Sequence, residues 1–292
     1  MAAALLALVG GLTGCGASPS PTTAQLQIVT TTTVFADLVR EVGGERVSVR
    51  SLVPAGGEVH TFDPRPSDVT AFASADLVVL NGLGLDDWVI DLVAQAGTDA
   101  PLLRLAEALP GVTYITAGAV PNPHLWMDAA YATLYVQRIT TELARLDPAG
   151  SDQYRARGAA YATRLGQLDA SIRTSFAALP SQDRKIVSMH DAFPYFARAY
   201  GLSVVGSVLQ APGQDPSAGQ IADLIKAIRV SGVRVIISEA QLPATLVERI
   251  AEETGAQVVS DLYTDSVGPA PYASYEAMLR WDADRVIAAL GR

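Results

Sequence analysis

A chain of 292 residues is about twice the length of a typical domain, so two domains of roughly 110 to 130 residues are expected, each able to bury its own core. The formal charge of −9 excludes the clustered basic surface that nucleic acid requires and is compatible with a cationic ligand. With 17% charged and 49% hydrophobic residues, the composition is that of a packed α/β protein and excludes long disorder.

Residues 1–14, MAAALLALVGGLTG, form an apolar run of the length of a signal-peptide core, too short to span a bilayer, and read as a cleaved signal peptide. The run meets Cys15, the sole cysteine, in the order Leu12, Thr13, Gly14, Cys15, which resembles a bacterial lipobox. That resemblance implies lipid attachment at Cys15 and places the protein on the extracytoplasmic face of the cell membrane. Residues 15–25 end in the Ser/Pro/Thr-rich stretch GASPSPTTAQ and suit a flexible tether. No Lys or Arg precedes the apolar run, so the true start is expected upstream of Met1. A lone cysteine also excludes an internal disulfide and any multi-cysteine zinc site.

From Leu26 onward, short β-branched runs alternate with amphipathic stretches: QIVTTTT, FADLVREVGG, RVSVRSLVP, PSDVTAFASA and DLVVLNG. The alternation continues through LDDWVIDLVAQAG, PLLRLAEAL, GVTYIT and the helical AAYATLYVQRITTELARL, so residues 26–146 read as one α/β lobe with a mainly parallel sheet. Residues 147–180 carry Tyr154, Tyr161, Leu165, Leu168, Ile172 and Phe176 at helical spacings. One helix of about 30 residues there would run about 45 Å, a stiff strut that keeps closure small. Residues 181–292 repeat the alternation in KIVSMH, AFPYFARAYG, LSVVGSVL, AGQIADLIKAIRVSG, VRVIISEA, ATLVERIAEETG, AQVVSDLY and a last helix near YEAMLRWDADRVIAAL, giving a second α/β lobe.

The chain has three histidines, His60, His124 and His190, each where a predicted strand or its following loop gives way to a helix. In open α/β sheets those strand ends face the binding crevice. Separations of 64 and 66 residues exclude a local finger-type site, so any shared centre must be gathered by tertiary structure.

Four segments surround these histidines and follow them: GGEVHTFDPRPSD at 56–68, NPHLWMD at 122–128, MHDAFPYFARAYGL at 189–202 and SDLYTDSVG at 260–268. Together, in this order, they resemble the solute-binding lipoproteins of zinc and manganese ABC importers, over residues 26 to the C-terminus. The resemblance implies two α/β lobes, one bridging helix and a single metal in the cleft. Carried over by position, the ligands are His60, His124, His190 and Asp265. The implied partners are a permease and its cytoplasmic ATPase, with monomer as the default state.

Three imidazoles and a carboxylate suit zinc and tolerate manganese, whereas calcium and magnesium want oxygen donors. Some manganese-preferring members carry Glu where this chain has His190, which points to zinc. Zinc-specialised members often carry a long His- and acid-rich loop before the second histidine, and AGAVPNPH is short, which points the other way. Imidazoles bind metal when neutral, so affinity is expected to weaken as pH falls through about 6.5.

Metal-bound imidazoles pass their other N–H to a carboxylate or carbonyl. Asp63, Asp128 and Glu239 are the candidates; Glu239, at the end of VRVIIS, is also the reserve ligand should Asp265 fail. Asp128 suits an N-cap of the helix that follows it, and Asp191 a cap for AFPYFARAYG. Trp126 reads as core packing, and Asp215, Pro216 and Ser217 as a helix start. Two further functions fit a His₃ site: a zinc hydrolase, disfavoured by the absence of HExxH and by Asp265 closing the fourth position, and an adhesin that metal only stabilises.

Overall fold

A computed structural model describes residues 25–116 and 120–292. The expected signal segment and Cys15 lie outside the described residues.

The first lobe runs β1 (Leu26–Thr30), α1 (Thr33–Gly43), β2 (Val47–Ser51), α2 (Pro66–Phe72), β3 (Leu77–Leu80), α3 (Trp88–Ala96), β4 (Leu102–Arg104) and α4 (Ala129–Leu146). Its sheet has the order β2-β1-β3-β4 and every pairing is parallel. The second lobe runs β5 (Lys185–His190), α6 (Pro194–Tyr200), β6 (Ser203–Leu209), α7 (Ala218–Ser231), β7 (Val235–Glu239), α8 (Thr245–Thr254), β8 (Gln257–Leu262) and α9 (Tyr275–Leu290). Its sheet, β6-β5-β7-β8, is again all parallel and repeats the first connectivity. The inner strands β3 (LVVL) and β7 (VIISE) are buried at every residue, as parallel strands covered on both faces must be. In each sheet the chain goes outward once and then crosses back, so switch points fall beside β1 and β5.

Between the lobes runs α5 (Ser151–Ala177), whose 27 residues span about 40 Å. Its buried stripe of Tyr154, Gly158, Tyr161, Leu165, Leu168, Ile172 and Phe176 packs on α1 and α4 of one lobe and on α6 and α9 of the other. The helix is shorter at both ends than expected. At the start, Pro148–Gly150 forms a separate 3-10 turn, with the Asp147 carboxylate accepting from the Gly150 N–H and from the Tyr154 hydroxyl (2.8 Å). At the other end, Pro180 stops continuation, and Arg184 donates to the freed carbonyls of Ala177 and Leu179. Gly158 is required: a Cβ there would collide with the Thr140 hydroxyl and push α5 off α4.

The β-branched run GVTYIT does not join the sheet and makes only an isolated bridge between Thr116 and Pro121. Its polar groups are used elsewhere. Tyr114 donates to the Ala106 carbonyl (2.6 Å), and the Ile115 N–H donates to the Tyr195 hydroxyl of the second lobe (3.0 Å). Among the described residues no helix is long and apolar enough to cross a membrane.

Candidate metal centre

Each of the four donors lies at or beyond the carboxyl end of a strand. His60 sits in the loop between β2 and α2, and His124 opens the 3-10 turn Leu125–Met127 ahead of α4. His190 is the last residue of β5, and Asp265 follows β8. Because the two sheets point these ends at each other, residues up to 205 positions apart in sequence meet in one cleft. One ligand atom from each of the four lies within 4.8 Å of all the others.

The spacing is that of a coordination shell. His124 Nε2 is 3.3 Å from His60 Nε2 and 3.3 Å from His190 Nε2. Donors about 2.0 Å from a tetrahedral ion sit about 3.3 Å apart along each edge. The Asp265 oxygens lie 3.5 Å from His60 Nε2, 3.6 Å from His124 Nε2 and 3.9 Å from His190 Nε2. Asp265 is fully buried, yet neither of its oxygens has a hydrogen-bond partner. A buried carboxylate left bare is costly, and a cation placed between it and the three Nε2 atoms removes that cost.

Other contacts orient the rings. Glu239 Oε1 lies 2.7 Å from His190 Nδ1, leaving Nε2 to face the centre. Asn122 Oδ1 lies 3.1 Å from His124 Nδ1 and accepts from the His124 backbone N–H at 3.1 Å. Glu58 Oε1 accepts from the His60 backbone N–H at 2.9 Å. Asn122 and Glu58 were not singled out from sequence, although each is a polar acceptor two residues before a histidine. The Asp265 segment is gripped from the first lobe as well: Gly56 N–H donates to Ser266 Oγ (2.8 Å), Val267 N–H to Thr33 Oγ1 (3.0 Å) and Trp126 Nε1 to the Thr264 carbonyl (2.8 Å).

Not every candidate comes together. Asp63 is exposed and makes no hydrogen bond to an imidazole; the turn at α2 is closed instead by Asp68, which accepts from the Arg65 N–H at 2.9 Å. Asp128 is the N-cap of α4, accepting from the Ala130 N–H. Asp191 does not cap α6. That helix begins with Pro194 in its first turn, where fewer N–H groups need a cap, and the Asp191 carboxylate turns to the Asn122 amide at 3.1 Å. Trp126 is fully buried and packs its ring 5.3 Å from that of His124. Ser217 caps α7 in a capping box with Gln220.

The electrostatics divide the imidazoles. Burial, then the charge of His190, pushes His60 down to about 3 and His124 well below its ordinary value, so both are neutral donors. Burial opposes charge on His190 too, but Glu239, Asp265 and Glu58 override it and push it up to about 9. Burial, offset in part by His190, pushes Asp265 up to about 8. The centre thus favours protons on His190 and Asp265, which a divalent cation held there would have to displace.

A family model described as zinc-uptake complex component A, periplasmic, matches residues 28–289. The manganese-binding lipoprotein MntA of Halalkalibacterium halodurans is 28% identical over 284 residues, 96% of this chain and 94% of its own. The iron-binding protein YfeA of Yersinia pestis is 29% identical, covering 94% of this chain and 89% of its own. The solved structure of the periplasmic zinc-binding protein TroA from Treponema pallidum superposes with a TM-score of 0.87 at 27% identity, covering 92% of this chain and all of that one.

Proposed function

The chain belongs to the family of periplasmic zinc-uptake component A proteins, and from that premise we propose that it captures a divalent transition metal outside the cytoplasm and hands it to an ABC importer. The observation that carries the reading is the buried Asp265 carboxylate, without a hydrogen-bond partner, whose oxygens lie 3.5 to 3.9 Å from the Nε2 atoms of three histidines.

In this reading His60, His124 and His190 bind through Nε2 and Asp265 supplies the fourth position, for one ion per chain. The edges of 3.3 Å between nitrogens fit an ion of zinc's size. The second Asp265 oxygen offers a fifth contact and supports manganese as the alternative cargo, in line with relatives named for manganese, iron and zinc. Glu239 acts on His190 from outside the shell. The reading is uptake and not hydrolysis: Asp265 takes the position a reactive water would need, and Glu239, the carboxylate a hydrolase would use as base, lies against His190. The remaining parts are a lipid anchor at Cys15, a monomeric state and docking on a permease driven by a cytoplasmic ATPase.

Chelator-stripped protein titrated separately with Zn²⁺ and Mn²⁺, each against a competing chelator, tests this. One tightly bound equivalent with zinc strongly favoured supports zinc uptake; tight manganese binding moves the cargo to manganese. No stoichiometric binding of either ion refutes the assignment.

A further inference from the structure

We propose that the cation enters and leaves through a vestibule on the His60 side, and that Asp191 receives it there before the imidazoles do. The inference rests on the metal-capture reading above.

Three of the donor side chains have at most 2% exposure, whereas that of His60 keeps 12%. His60 and His124 open onto a cavity of about 340 Å³ between the lobes. Its walls are largely apolar and include Leu83, Val120, Pro121 and Ala211. Among the described residues, Asp191 is the one carboxylate that lines it. Low-dielectric walls focus the field of a lone charge on a cation approaching from water. A carboxylate oxygen also replaces a shed water, which lowers the cost of stripping a hydrated divalent ion before it meets nitrogen donors.

Asp191 is joined to the centre by a short relay. Its Oδ2 accepts from Asn122 Nδ2 at 3.1 Å, and Asn122 Oδ1 contacts His124 Nδ1 at 3.1 Å. The Asn122 amide also donates to the Asp191 backbone carbonyl at 2.6 Å, so Asn122 keeps its place beside His124 when an ion takes the Asp191 carboxylate.

The test is stopped-flow association and dissociation of Zn²⁺ on the wild-type chain and on Asp191→Asn, which preserves the acceptor for Asn122. The variant is expected to associate roughly tenfold more slowly at low ionic strength, with the deficit shrinking as salt is added. Dissociation should slow by a similar factor, so that equilibrium affinity changes little. Unchanged association combined with faster dissociation overturns the proposal, because it marks Asp191 as a support for His124 alone. Val120→Asp, at a position 58% exposed on the rim, is the second arm and should accelerate association; no acceleration also overturns it. If the wild-type chain binds no Zn²⁺ or Mn²⁺, the capture reading itself fails, which these arms distinguish from loss of the vestibule alone.

Discussion

At the scale of single residues, Glu239 lies 2.7 Å from His190 Nδ1 and so leaves Nε2 as the nitrogen that would serve a metal in the proposed centre. Glu239→Gln keeps the shape and removes the charge beside Nδ1, and should lower metal affinity roughly 10- to 100-fold with the fold intact. Chelator competition measures this, and unchanged affinity would remove Glu239 from the centre. The same carboxylate sets the pH response. In the metal-free protein His190 is pushed up to about 9 and Asp265 up to about 8, so both carry protons near neutrality. Loading must expel them. Affinity should therefore climb with pH through neutrality towards about 9, well above the onset near 6.5 expected of an unperturbed imidazole. His60, pushed down to about 3, does not compete with the ion in that window. Calorimetry at pH 7 in buffers of different ionisation enthalpy should register proton release; none would contradict the charged state of His190. That the three histidines and Asp265 would come together was legible because their motifs stand in the sequence. The shift on His190 was not, since it arises from Glu58, Glu239 and Asp265, which approach from three separate loops or strand ends.

At the scale of elements, the residues around the ligands divide into those that build helices and those that hold rings. Asp128 belongs to the first group: it is the N-cap of α4, so Asp128→Ala should cost about 1 kcal/mol in denaturant unfolding while leaving metal affinity near wild type. The reverse pattern, stable protein with weakened binding, would place it with the ring-holding residues. Gly213 marks the rim, where the loop after β6 meets the loop carrying His60. Its φ of +82° and a Cβ position only 2.7 Å from Thr61 Cγ2 leave no space for a side chain. Gly213→Ala should prop the two loops apart and speed metal dissociation several-fold, read by stopped-flow chelation; an unchanged rate would show that the rim does not retain the ion. The hydrophobic periods made β3, β7 and the buried stripe of α5 readable in advance. GVTYIT misled because β propensity describes a fit to a pleated surface, and Tyr114 and Ile115 spend their hydrogen bonds on a loop and on Tyr195 of the other lobe. Asp191 misled for a similar reason: its partner, Asn122, lies 69 residues away.

For the whole molecule, α5 and the contacts beside it restrict how far the lobes can swing. Arg164 of α5 bridges Glu41 of the first lobe at 2.5 Å and Glu276 of the second at 3.0 Å. The exposed pairs themselves contribute little energy, but they sit over a buried seam. In that seam the Tyr275 hydroxyl donates to the Trp126 carbonyl at 2.6 Å, and the Tyr275 N–H donates to Asp37 at 2.8 Å. A single hydrophobic core runs from α1 and α4 through the buried face of α5 into α6 and α9. Large hinge closure would have to tear that core, so metal must be trapped by local rearrangement of the loops carrying His60, Asp191 and Asp265. Small-angle scattering of stripped and loaded protein should then give nearly superimposable curves, and marked compaction on loading would refute the strut. The same continuous core implies that stripped protein stays folded. Loading should only add stability by mass action, about 2.7 kcal/mol at a free-ion concentration roughly 100 times Kd. Unfolding on chelation would instead make the ion a structural part of the protein, as an adhesin stabilised by metal requires, and not cargo that a permease can remove from a folded carrier.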